Sequence, residues 1–199
     1  MTEELEREAR VWQDEATAFL ASTDLAGCLA PFGRLQYTGS FAYGCMLAPD
    51  IDCYVVSDDP SSQERAIAAM NTLAAQNLWN GIQLFDWEHF PSPREKGFPK
   101  AFYVGLKQPY GTFRWTVDCW FLTEQQSAAF THHWIIEGMT GEARGAVLHL
   151  KDARRSGLIP GSGFSIYTAV IRDGVSAVDE YQKWWNSVWQ EYVRTGSEQ

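Results

Sequence analysis

The chain has 199 residues, 45% of them hydrophobic and 14% aromatic, with a formal net charge of −9. This composition suits a packed globular protein rather than a disordered one, and an acidic surface repels phosphate backbones, which argues against non-specific binding of long nucleic acid. No apolar run approaches the roughly 20 residues of a membrane span, and the start Met1-Thr2-Glu3-Glu4-Leu5-Glu6 lacks the basic and apolar regions of a signal peptide, so no membrane contact and a cytoplasmic location are expected.

Cys28, Cys45, Cys53 and Cys119 form no CxxC pair and have no histidine at zinc-finger spacing. They read as buried thiols in a reducing compartment. Nine tryptophans are many for this length and are expected to line a pocket as well as the core. The acidic balance leaves room for a small anionic substrate that arrives with Mg²⁺, because the ion changes the local sign.

Across residues 3–22 the apolar positions Leu5, Ala9, Val11/Trp12, Ala16, Phe19 and Leu20 recur at helical spacing. Leu35-Gln36-Tyr37-Thr38 reads as a short strand ending at Gly39-Ser40. Residues 51–56 form a second strand, closed by the turn cluster Ser57-Asp58-Asp59-Pro60. Ser61 or Ser62 then caps a helix to about Leu78, with Glu64 as the capping-box partner of Ser61. A third strand covers 81–85, and 91–99 reads as a loop carrying Arg94 and Lys96, with Lys100 just beyond. Strands at 101–108 and 112–122 are joined by the hairpin signal Pro109-Tyr110-Gly111.

From Thr123 onward the pattern turns helical, over 123–137, 141–156, 163–172 and 176–193, with breaks at Gly138, Gly157, Pro160, Gly161 and Gly174. Ser176 with Asp179 resembles a capping start. Val178, Tyr181, Trp185, Val188 and Tyr192 form an apolar stripe, which is expected to face the core. An α/β domain over 1–124 followed by a helical subdomain over 125–199 is the organisation this pattern implies.

The chemistry-bearing signal is Gly39-Ser40 followed by Asp50-Ile51-Asp52. Residues i and i+2 of a strand face the same way, roughly 6–7 Å apart, so both carboxylates project together while Ile51 and Cys53 face the opposite side. Two adjacent carboxylates repel, and a hard divalent ion completed by substrate phosphates resolves the repulsion. In 114–121, Trp115, Val117, Cys119 and Phe121 alternate with Arg114, Thr116, Asp118 and Trp120. An aspartate in mid-strand between Val117 and Cys119 is costly to bury without a partner. Placed beside 51–56, Asp118 completes a three-carboxylate cluster able to hold two ions, which stabilise both oxygens of an in-line phosphoryl displacement. Gly39 permits a tight strand-to-helix turn and close approach of a ligand. Ser40 opens a helix over 40–46 whose free N–H groups suit a triphosphate, with Gly44 keeping one side of it slim.

Together Gly39-Ser40-x-Ala42-x-Gly44, Asp50-Ile51-Asp52 and Val117-Asp118-Cys119 resemble the signature of the DNA polymerase beta-like nucleotidyltransferase superfamily. That group includes antibiotic nucleotidyltransferases, the minimal nucleotidyltransferases of toxin–antitoxin pairs, and CCA-adding and poly(A)-polymerising enzymes. The resemblance covers residues 35–122 well and the helical tail loosely. It implies an α+β nucleotidyltransferase fold, a mixed β-sheet with flanking helices followed by a C-terminal helical subdomain. It further implies that Gly39 and Ser40 hold the β/γ-phosphates of an NTP, ATP among them. Asp50 and Asp52 would ligate two Mg²⁺ (or Mn²⁺) ions, and Asp118 would ligate the catalytic one and help deprotonate the acceptor. The implied reaction moves a nucleoside monophosphate to a hydroxyl-bearing acceptor and releases pyrophosphate.

Relatives place a helical lysine on the triphosphate, which implies a nucleotide contact for Lys151, although taken alone it reads as an exposed helical lysine. The 161–165 loop, Gly161-Ser162-Gly163-Phe164-Ser165, resembles a helix-start loop near the nucleotide. Pro49 departs from the small hydroxyl residue common before the first aspartate, but proline tolerates a strand start. Arg114 and Trp120 share the acid face, as a charge clamp and as either core or stacking platform. His132-His133, Asp86, Glu88 and His89 read as structural or solvated side chains, and Lys96, Lys100 and Lys107 could line the phosphate approach but read first as scattered surface lysines. The acceptor stays open between an antibiotic, a sugar, a protein hydroxyl, an RNA end and another nucleotide, and so does the oligomeric state. A competing reading on the same fold is a catalytically silent nucleotide- or protein-binding module, antitoxin-like or regulatory.

Overall fold

The computed structural model describes residues 2–90 and 99–190. Trp12–Thr131 forms one compact unit, and the remaining described residues at the two ends form the other. The boundary thus falls at 131/132 where the sequence pattern changed near 124, because the helix after the last strand packs back on the sheet.

The first unit is built on a five-stranded mixed sheet of order β1-β2-β5-β4-β3, with β1 Arg34–Thr38, β2 Asp50–Val56, β3 Gly81–Asp86, β4 Phe102–Tyr110 and β5 Phe113–Leu122. β2 and β5 are parallel, and the other three pairs are antiparallel. A parallel pair needs a long crossover. Here it runs through helix α4 (Ser62–Ala75), which packs on β3, β4 and β5. The alternation read in the sequence is realised, with Ile51, Cys53, Val55, Trp115, Val117, Cys119 and Phe121 all buried in one core. Phe19 of α1 (Thr2–Thr23) stacks on Trp115 at 4.8 Å. Two short helices, α2 (Leu25–Leu29) and α3 (Gly39–Ala42), complete this part, and α5 (Glu124–Phe130), capped by Thr123, lies on β2 and β5.

Several boundaries shift for local reasons. α3 ends at Ala42 instead of Met46, because Cys45, Met46 and Leu47 leave the helix to enter the core. α4 ends at Ala75, short of Leu78, and Ser61 forms no capping box with Glu64. Its hydroxyl is turned to Asp59 Oδ1 at 2.5 Å. Pro109 and Tyr110 continue β4, so the hairpin turn shrinks to Gly111-Thr112. Arg94 and Lys96 lie outside the described residues.

The second unit contains α6 (His133–Gly138), α7 (Gly141–Arg155), α8 (Gly163–Tyr167) and α9 (Val178–Trp184), with α7 packed on α8 and α9. The expected 123–137 helix breaks at Thr131-His132 into α5 and α6. α8 and α9 each run on into a wider π-type turn, over Thr168–Arg172 and Trp185–Trp189. Within this unit the start of α1 is tied to α7 by the ion pairs Glu6–Arg144 and Glu8–Arg155. Glu180, not Asp179, accepts the backbone N–H groups of Ser176 and Ala177 at the start of α9. The expected stripe is core only in part: Tyr181 is buried together with Trp184, whereas Val188 is 48% exposed and Tyr192 lies outside the described residues. No described helix is long and apolar enough to cross a membrane.

Arg65 of α4 is buried and pins the far end of the parallel pair. Its guanidinium donates to the carbonyls of Phe32 (3.1 Å), Val55 (3.3 Å) and Leu122 (3.2 Å). Burial pulls its pKa below the ordinary arginine value. Replacing Arg65 by leucine removes three hydrogen bonds from a charged donor, each worth about 1 kcal/mol. Arg65→Leu is therefore expected to lower unfolding stability by about 3 kcal/mol in urea denaturation; a change under about 1 kcal/mol would mean that other groups satisfy those carbonyls.

Candidate active site

The register of β2 against β5 sets Asp52 directly beside Asp118, and Asp50 beside Thr116. Successive pairs across the sheet then build one row of Thr38, Asp52, Asp118 and Gly105, with a second row of Asp50, Thr116 and Lys107 next to it. Directly opposed residues share a face, so these side chains project together on the side of the sheet away from the Ile51–Val117 core. The three acids predicted from sequence thus meet on two neighbouring strands, and all three are half-buried.

Each flanking carboxylate is held by a hydroxyl from the sheet. Thr116 Oγ1 donates to Asp50 Oδ1 at 2.5 Å, and Tyr103 Oη donates to Asp118 Oδ1 at 2.6 Å. Burial pushes the Asp118 carboxyl up to about 6; the Tyr103 hydrogen bond opposes this, the charge of Asp50 adds to it and Lys107 offsets part of it. Burial and the adjoining Asp118 carboxylate push the Tyr103 phenol far above its ordinary value, so it stays a donor. Among the described residues, no group of three or more His, Cys, Asp and Glu side chains is arranged to hold a metal ion. The donor chemistry nevertheless fits a hard divalent cation: three carboxylates share one face of two adjacent strands, and ionising half-buried Asp118 near Asp50 is costly without a counter-charge.

Gly39 sits at φ +63° at the end of β1, where the chain turns into α3. A Cβ there would collide with the Asp52 carboxylate. Only glycine combines that dihedral with that proximity. Ser40 follows in the first turn, and its carbonyl accepts from Cys45 N at 3.0 Å. Cys53 and Cys119, which follow Asp52 and Asp118, lie on the core side with sulfurs 3.4 Å apart. The hydrogen bond between them and burial push the Cys53 thiol up. All four cysteines are free thiols.

Lys151 belongs to the helical unit and is buried on α7, contrary to the exposed lysine that its position alone suggested. Its Nζ lies 3.5 Å from Tyr167 Oη and 5.8 Å from that ring's centre. In the 161–165 loop, Ser162 caps α8 and Ser165 bonds to Tyr181. Trp120 is buried in a cluster with Tyr54, Val56, Ala101 and Leu122, which makes it core rather than a free stacking platform, and Arg114 is exposed by the hairpin turn. Tyr103 and Gly105 were missed as site residues, and Lys107 was set aside as a surface lysine. Their shared face of β4 was readable from alternation, but the partner strand that brings them to Asp118 was not.

No protein-family model and no curated protein matches the sequence. Solved structures do. Cid1, described by its RNA terminal uridylyl transferase activity, matches with a TM-score of 0.57 and 17% identity over 85% of this chain and 52% of its own. A cytoplasmic RNA terminal U-transferase gives 0.53 and 17% over 84% and 53%, and the GLD-2/RNP-8 complex gives 0.58 and 15% over 98% and 71%. The chain shares the fold of these three structures, an α+β arrangement of a mixed β-sheet with flanking helices. The chain spans about half the length of the first two of these structures, and identity at this level speaks for the fold alone.

Because Asp118 binds its proton more tightly folded than unfolded, ionising it weakens the fold. That penalty is complete above about pH 6 and fades as pH falls from 6 toward the ordinary 3.8. Without divalent ions, Asp118→Asn should therefore stabilise the chain by about 1–2 kcal/mol at pH 8, after allowance for partial exposure, and by about half as much at pH 5. Thermal melts at both pH values check this, and equal gains at both would contradict it.

Proposed function

We propose that this chain is a metal-dependent nucleotidyltransferase that moves a nucleoside monophosphate from an NTP to an acceptor hydroxyl and releases pyrophosphate. The observation that carries the reading is the pairing of Asp52 with Asp118 across the parallel β2–β5 ladder, with Asp50 on the same face. Asp50, Asp52 and Asp118 would hold Mg²⁺ or Mn²⁺, which supplies charge neutralisation at the phosphates when bound. Gly39 brings the backbone close to Asp52, and Ser40 offers its first-turn position to the phosphates. In the reaction the acceptor oxygen forms a bond to the α-phosphorus while the α–β phosphoanhydride bond breaks. Asp118, on the strand beside Asp52, would take the acceptor's proton.

Among the candidate acceptors an RNA terminus is favoured, since Cid1 and the U-transferase are both described as RNA terminal transferases. The net charge of −9 favours contact with an RNA end over a long RNA footprint. A cytoplasmic location belongs to the same proposal and agrees with four free thiols.

The test is incubation with each NTP and Mn²⁺ in the presence of a short RNA and a panel of small hydroxyl acceptors, read by mass spectrometry. Asp50→Asn, Asp52→Asn and Asp118→Asn are each expected to cut transfer at least about 100-fold while the chain stays folded. Wild-type turnover in any of them overturns the assignment.

The competing reading is a silent nucleotide-binding module. It draws on two observations: hydroxyls engage Asp50 and Asp118, and no three-acid group is set for an ion among the described residues. It predicts stabilisation of about 2.7 kcal/mol by NTP and Mn²⁺ at a hundred times the Kd, with no pyrophosphate released.

A further inference from the structure

Tyr103 reaches Asp118 by an unusual route. It is paired across the β4–β5 ladder with Trp120, not with Asp118, whose direct partner is Gly105. The Tyr103 side chain lies along its own strand, over Gly105, and so brings its hydroxyl 2.6 Å from Asp118 Oδ1. A Cβ on Gly105 would stand 2.6 Å from the Tyr103 hydroxyl and 3.0 Å from the ring, closer than such atoms approach. The missing side chain at 105 is therefore what lets the phenol lie flat and meet the carboxylate. The ring is fixed from other sides by Trp120 (centroids 5.1 Å apart) and Phe85 (5.7 Å apart).

Resting on the metal-dependent reading above, we infer that Tyr103 is a positioning residue of the site: seated over Gly105, it holds Asp118 by Oδ1 and turns the other oxygen toward a divalent cation shared with Asp50 and Asp52. A hydrogen-bonded carboxylate has fewer rotamers to lose when an ion binds, and groups that orient ligands in this way are commonly worth 10–100-fold in metal affinity. The role needs the hydroxyl alone, since the ring also packs on its neighbours.

The test titrates Mn²⁺ alone into the full chain, followed by electron paramagnetic resonance, with thermal melts of the metal-free protein alongside. Tyr103→Phe should weaken Mn²⁺ binding about tenfold while leaving the metal-free melting temperature within a few degrees of wild type. Gly105→Ala should weaken it comparably by displacing the phenol. In the Tyr103→Phe background the same glycine change should add little, because the hydroxyl it displaces is gone. Wild-type affinity in Tyr103→Phe, or in Gly105→Ala, overturns the positioning role and leaves the metal reading standing. Absence of Mn²⁺ binding by the wild-type chain overturns both.

Discussion

The parallel ladder between β2 and β5 is the constraint on which the site depends. Its register matches Asp52 with Asp118, and a slip of one residue would send one of the two carboxylates into the core. That slip is opposed by the pairs Ile51–Val117, Cys53–Cys119 and Val55–Phe121, every member of which is buried. The ladder is also closed at both ends. Thr116 N donates to the Pro49 carbonyl at 3.0 Å before the first aspartate, and Ser57 N donates to the Leu122 carbonyl at 3.1 Å after the last pair. Pro49 thus contributes an acceptor at the point where its missing N–H is not needed.

This arrangement holds like charges together at a cost that the rest of the sheet face offsets only in part. Hydroxyl donors from Thr116 and Tyr103 satisfy one oxygen each of Asp50 and Asp118, and Lys107 adds a positive charge in the adjoining row. A fold that keeps three half-buried carboxylates on neighbouring strands gives up stability it would gain from apolar residues there. Such a conflict between local preference and placement marks functional sites more often than structural ones. The core side of the same two strands carries no such conflict: Cys53 and Cys119 are both buried there, and burial and the bond to Cys119 keep the Cys53 thiol protonated.

Much of this was legible in the residues. Alternation along 114–121 separated the buried Trp115, Val117, Cys119 and Phe121 from Asp118, and the i, i+2 spacing of Asp50 and Asp52 put both on one side. Helix ends were less legible, since α3 and α4 stop where core contacts outweigh propensity. Lys151 looked solvated because burial of a lysine depends on a distant tyrosine, Tyr167, that no local pattern reveals. Tyr103 and Gly105 escaped for a similar reason: their meaning comes from strand order, which places β4 next to β5 although local alternation says nothing of the partner.

The central claim is that one divalent ion is shared by carboxylates from the two parallel strands. Anomalous diffraction from crystals grown with Mn²⁺ tests it most directly. A manganese peak within coordination distance of both the Asp52 and the Asp118 carboxylates is the expected result. A peak elsewhere on the chain, or none at these two residues with Mn²⁺ in excess, would contradict it.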